Sequence, residues 1–202
     1  MEASRQANRK ASGSSSFREA LQAVERFLDA SGRPAAVIGG VAVIAYGFAR
    51  STVDIDASVA IEPDELRWLL EVAHKQGLVE RVADAEAFAR ENLVLLLEHR
   101  GSRTPVDISL ALQPFEVEAL AAATTVLFGG VRIRVPRLSD LVVYKMVAGR
   151  PQDLRDVEVL LSAKAEIDLP AIEGRLAEFD SILETDRCGL FRTLLAKVMR
   201  PG

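Results

Sequence analysis

The chain has 202 residues, of which 49% are hydrophobic and 27% charged, with a net charge of −4. That is enough for one substantial core in a soluble globular protein. The acidic balance argues against a protein built to coat nucleic acid, which needs a basic face, and a single cysteine, Cys188, excludes an internal disulfide framework or a zinc cluster and points to a reducing compartment.

Residues 1–16 are rich in Ser, Ala, Arg and Lys and have no apolar run, so they read as a mobile tail and not as a secretory signal. Phe17, Leu21, Val24, Phe27 and Leu28 recur on one helical face, giving a first helix that ends near Ser31-Gly32. Pro34 leads into a buried strand over 35–39. An Ala- and Val-rich stretch over 40–49 is helix-compatible and stops at Gly47. A strand follows over 52–60, with Asp54 and Asp56 on one face and Val53 and Ile55 on the other, toward the core. Pro63-Asp64-Glu65 opens a helix that packs through Leu66, Leu69 and Leu70.

Asn92 to Glu98 is a short apolar run, most simply a central strand, and Thr104 to Leu110 alternates Val106, Ile108 and Leu110 against Asp107 and Ser109. Residues 124–135 form a hairpin around Gly129-Gly130. Beyond Pro136 the pattern turns helical: Leu138 to Ala148, Gln152 to Ala165, and most of 170–199 with a break near Gly189. The expected class is α/β (α+β): a mixed sheet flanked by helices over 17–136, then a C-terminal helical region over 137–202. No stretch is long and apolar enough to span a membrane, so the expected location is cytoplasmic, with no membrane partner.

The chemistry concentrates at Gly39-Gly40 and Asp54-x-Asp56. A glycine pair between a strand and a helix lets a phosphate approach the backbone amides. Two carboxylates on one strand face repel each other unless a divalent cation accepts oxygen from both, and magnesium binds carboxylates together with substrate phosphates. Asp107 adds a third acid if its strand lies beside 52–60. Each motif also has a plain alternative: a turn for the glycines and a solvated strand face for the acids. His74 and His99 lack paired ligand spacing, Trp68 and Cys188 read as packing residues, and Ser109 has no histidine partner in sequence.

The run Ile38-Gly39-Gly40 through Arg50-Ser51-Thr52-Val53-Asp54-Ile55-Asp56 resembles the signature of the DNA polymerase β-like nucleotidyltransferase superfamily. The Arg-x-Thr-x-Asp-Ile-Asp form is similar to the AbiEii-type bacterial branch, which includes toxin–antitoxin nucleotidyltransferases. Lys145, Arg150, Asp153 and Asp156 resemble that branch's Lys…Arg-x-x-Asp-x-x-Asp element, so the likeness covers about residues 35–160. It implies transfer of a nucleoside monophosphate from a nucleoside triphosphate such as ATP or GTP to a hydroxyl on RNA (a tRNA end among them), a protein or a small molecule.

Under that likeness Asp54, Asp56 and Asp107 bind two magnesium ions, and Asp107 acts as or near the general base. Gly39 and Gly40 contact the triphosphate, Arg50 and Thr52 steady the metal strand or nucleotide, and Lys145 reaches a phosphate from its helix. Arg150, Asp153 and Asp156 either serve the site or form an ion-pair network that docks the helices. Only 46 residues follow Asp156, short for the toxin branch, so the expectation is that the acceptor-binding half is either reduced or supplied by a protein partner. A nucleotide-binding or antitoxin-like module with little turnover is the alternative.

Overall fold

The structure, a computed structural model, describes residues 2–162 and 167–199, with side chains from Ser15 onward. Helix α1 spans Glu2–Ser31 and is followed by β1 (Ala35–Val37), α2 (Gly39–Ala45) and β2 (Ile55–Val59). A 3-10 turn at Pro63–Glu65 leads into α3 (Leu66–Lys75), then β3 (Leu78–Glu80), α4 (Ala85–Asn92), β4 (Val94–His99), β5 (Pro105–Leu110) and α5 (Pro114–Ala121). The hairpin β6 (Thr124–Phe128) and β7 (Val131–Val135) precedes α6 (Leu138–Ala148), α7 (Pro151–Ser162), α8 (Leu169–Leu183) and α9 (Arg187–Met199).

The main sheet has the order β1-β2-β5-β4-β3. Strands β2 and β5 run parallel and the other neighbours antiparallel, which gives the mixed sheet the sequence implies. Alternation sorts its two faces. Ile55, Ala57, Val59, Val106, Ile108, Leu95 and Leu97 are all buried on one side. Leu21, Val24 and Phe27 of α1 and Leu66 and Leu69 of α3 join them in one hydrophobic cluster. Removing a ring such as Phe27 from that cluster costs about 3–5 kcal/mol. The other face presents Asp56, Ser58, Asp107, Ser109, Val94 and Leu96, the residues that alternate with the core set.

The hairpin turns through Gly129 and Gly130, both at positive φ (54° and 80°), as a two-residue primed turn demands. It forms its own two-stranded sheet and packs beside β1 and α1. Helices α6–α9 share the main core through Leu141, Val142, Met146, Val157, Leu160, Ile172, Leu176 and Phe191. No helix among the described residues is long and apolar enough to cross a membrane.

Several expectations shift. Backbone helix reaches Glu2, so the segment read as a tail continues α1, a helix propagating from its packed stretch one bond per residue. The expected strand over 52–60 begins only at Ile55, because Val53 and Asp54 lie in a bend; Val53 is 78% exposed and faces solvent, not the core. The break near Gly189 falls instead after Leu183, where Glu184 adopts positive φ (52°). Gly189 sits in the first turn of α9, its N–H donating to Asp186 Oδ1 at 2.9 Å, so the glycine belongs to the helix start. The last residues expected in the helix from Gln152 to Ala165, 163–165, lie outside the described set.

Candidate functional site

Gly39 opens α2 at φ +62°, a conformation that favours glycine. A Cβ at that position would stand 1.9 Å from Asp56 Oδ2, so the missing side chain makes room for this carboxylate. Gly40 is close-packed in the same way: a Cβ there would meet Thr52 Oγ1 at 3.0 Å and the Arg50 guanidinium carbon at 3.2 Å. The Gly40 N–H donates to the Asp56 carboxylate, and the Ile38 N–H donates to the Asp56 carbonyl at 2.8 Å. The glycine pair and the acid pair, sixteen positions apart at Gly40 and Asp56, therefore form one packed unit.

Parallel pairing of β2 with β5 sets Asp56 directly beside Asp107. In-register neighbours are separated by about 4.8 Å of backbone and share a face, so both carboxyls point from the sheet to the same side. Burial pushes the Asp56 carboxyl above the ordinary carboxylate range, and the charges of Asp54 and Asp107 push it further; Lys145 and the Gly40 amide oppose this. Asp107 is also raised, chiefly by burial and by Asp54, against the pull of Arg81. Asp54 precedes the strand, and its Oδ1 accepts from Thr52 Oγ1 at 2.7 Å.

The opposite wall is α6 and the start of α7. Lys145, Asp153 and Asp156 are 4%, 2% and 3% exposed, so this is a buried cluster. Lys145 Nζ lies 2.9 Å from both Asp153 Oδ1 and Asp156 Oδ2. Arg150 Nε donates to Asp153 Oδ2 at 2.6 Å, and Arg50, from the loop before β2, pairs with Asp156. Burial alone would raise Asp153, but hydrogen bonds from Arg150 and Lys145 and their charges bring it below the usual carboxylate value. Arg50 thus ties the Asp54 loop to the helical region. Lys145 lines the cleft with two of its three N–H donors directed at carboxylates.

Between the walls lies a cleft of about 330 Å³. Gly39, Asp56, Asp107 and the next pair along the same strands, Ser58 and Ser109, form its floor; Leu141, Tyr144, Lys145, Arg150 and Asp153 form a side. The donor set suits a hard cation, being all carboxylate oxygen, with the Gly39 cradle keeping Asp56 in place. Among the described residues, however, no three His, Cys, Asp or Glu side chains are gathered as a ready metal cage. Asp54 is turned to Thr52, and Asp107 is held by Arg81 Nη2 at 2.5 Å.

Arg81 escapes a reading of sequence motifs because it lies just past a three-residue strand, β3, with no pattern of its own. Tyr144 was equally hidden, as one more residue of an apolar helix. Its ring stands 5.2 Å from that of Phe115, and burial, with the charges of Glu116 and Asp140, pushes its phenol above the ordinary tyrosine range.

The sequence matches no protein-family model and no curated protein. Among solved structures, the chain is similar to an antigenic nucleotidyltransferase-like protein from Paracoccidioides brasiliensis, with a TM-score of 0.51 and 15% identity over 80% of this chain and 86% of that one. JHP933 from Helicobacter pylori overlays with a TM-score of 0.45 and 14% identity over 88% of this chain and 87% of that one. The first likeness gives the fold alone: a mixed α/β architecture shared with that nucleotidyltransferase-like protein.

Proposed function

We propose that the chain is a metal-dependent nucleotidyltransferase that moves a nucleoside monophosphate from a nucleoside triphosphate to a hydroxyl and releases pyrophosphate. The observation that carries this reading is the placement of Asp56 beside Asp107 under the Gly39 cradle, with Asp54 in the bend just before the same strand. Asp54, Asp56 and Asp107 would hold the cation pair, magnesium being the ion their chemistry suits. When bound, magnesium neutralises charge on the triphosphate and favours ionisation of the acceptor hydroxyl.

The remaining roles belong to the chain. The acceptor oxygen bonds to the α-phosphorus while the bond from that phosphorus to the pyrophosphate oxygen breaks. Asp107, whose carboxyl is shifted upward, takes the hydroxyl proton. The α2 amides, the third N–H of Lys145 and Arg150 at the cleft mouth orient the triphosphate. Arg50 and Thr52 steady the Asp54 loop. The AbiEii-like motif extends the proposal to a toxin–antitoxin setting, with a tRNA end, a protein side chain or a small molecule as acceptor and a protein partner supplying part of its site.

A second reading is a nucleotide-binding or antitoxin-like module with little turnover. It draws on the engagement of Asp107 by Arg81 and of Lys145 by two aspartates. Incubation with each labelled triphosphate, magnesium and a cell extract separates the two. Label transferred by the wild type and not by Asp54→Ala plus Asp56→Ala supports the enzyme. Equal label with both proteins, or nucleotide binding without transfer, contradicts it.

A further inference from the structure

Arg81, Leu96, Asp107 and Asp56 form one row across the sheet. The β3–β4 register pairs Glu80 with Leu97, and the Arg81 N–H continues that ladder by donating to the Leu96 carbonyl at 3.0 Å. Leu96 pairs with Asp107, and Asp107 with Asp56. Side chains in such a row leave the same face. Arg81 therefore starts two strands away from Asp107, about 10 Å by strand spacing. It reaches across Leu96 to place Nη2 2.5 Å from Asp107 Oδ1.

We infer that Arg81 is a latch on the acid row: its guanidinium holds Asp107 in the cation-free protein and must leave before Asp56 and Asp107 share a divalent ion. The inference rests on the acid row being the cation site of the proposed function. Lys145 is committed to Asp153 and Asp156, which leaves Arg81, among the described residues, as the cation in contact with an acid of the row. A divalent ion at the same oxygens would face the guanidinium at contact distance, a like-charge encounter that drives one of them out.

The latch is built to move. Both partners are 32% exposed at the side chain, so the guanidinium swings without opening the core. Arg81 follows the last residue of the three-residue edge strand, and the chain beyond it turns at Asp84 with φ +50°. Arg81 is thus a positioning residue, acting through Asp107.

The test is Mn2+ binding without nucleotide, measured by the electron paramagnetic resonance of free Mn2+, on wild type, Arg81→Gln, Arg81→Lys and Asp56→Asn. Circular dichroism melts confirm that each variant is folded. The latch predicts that Arg81→Gln binds Mn2+ roughly fivefold more tightly, the scale of a partly exposed ion pair, with Arg81→Lys in between. Equal or weaker binding by Arg81→Gln, while Asp56→Asn abolishes it, overturns the latch and leaves the cation site standing. Binding by none of the proteins, or binding unaffected by Asp56→Asn, overturns the cation site and the latch with it.

Discussion

Asp56 and Asp107 stand on the sheet floor of the cleft, and Asp153 and Asp156 stand on α7 across from them, yet the two pairs sit in opposite electrostatic settings. The α7 pair is buried among Lys145, Arg150 and Arg50, and hydrogen bonds and charge from Arg150 and Lys145 hold Asp153 below its ordinary range against the pull of burial. The floor pair is shifted upward by burial and by the charge of neighbouring acids, even though Arg81 contacts Asp107. One pair stabilises the fold and the other is held by it at some cost. Crowded like charge kept in a cleft is characteristic of sites tuned for chemistry, whereas satisfied charge is characteristic of docking.

Substitutions on the two walls should therefore have opposite effects. Asp56→Asn should reduce nucleotidyl transfer by about a thousandfold while leaving the melting temperature unchanged or higher, read by labelled transfer and by calorimetry. Asp153→Ala should do the reverse to stability: it strands a buried cation cluster, so a loss of about 3–5 kcal/mol and a melting temperature lower by about 6–20 °C are expected.

Titration sharpens the same contrast. For Asp56 and Asp107 the folded value is raised, so their contribution is fully present below the ordinary carboxylate range and is lost as pH rises through the folded value. For Asp153 the folded value is lowered, so its contribution is present above that range and is lost as pH falls through the folded value. Melting curves between pH 3 and 7 should therefore show the advantage of Asp56→Asn over wild type growing with pH, and the deficit of Asp153→Asn growing likewise from a small value in acid, as about these ordinary carboxylate values imply.

Smaller effects follow. Gly39→Ala should cost about 1–3 kcal/mol, from positive φ and the clash with Asp56, and should weaken triphosphate binding measured by calorimetry. Val53→Ser should change stability by no more than about 0.5 kcal/mol, because the side chain faces solvent.

How far the sequence discloses this arrangement depends on the range of the interactions involved. The alternation around Asp107 and the apolar periods of 17–28 and 138–148 are local, and the corresponding elements form. The adjacency of Asp56 and Asp107 was conditional on a strand pairing that only long-range topology decides. Val53 illustrates the limit of alternation, since a period of two holds only where the chain is a strand, and Val53 lies in the bend before it. Arg81 meets Asp107 through two intervening ladders, 26 residues apart in sequence, and no motif encodes such a contact. Lys145 was legible as a cleft residue, but its two carboxylate partners come from the next helix, and their geometry depends on how α6 packs against α7.

The most direct measurement is a crystal structure of the protein with Mn2+ and a non-hydrolysable nucleoside triphosphate, with the ion located by its anomalous signal. Mn2+ should bridge Asp56 and Asp107, at about the 2.0–2.2 Å of a compact divalent ion, with the phosphates over Gly39 and Arg81 withdrawn from Asp107. An ion seated at Asp153 and Asp156, or a triphosphate bound outside the cleft with the acid row still closed by Arg81, would contradict it.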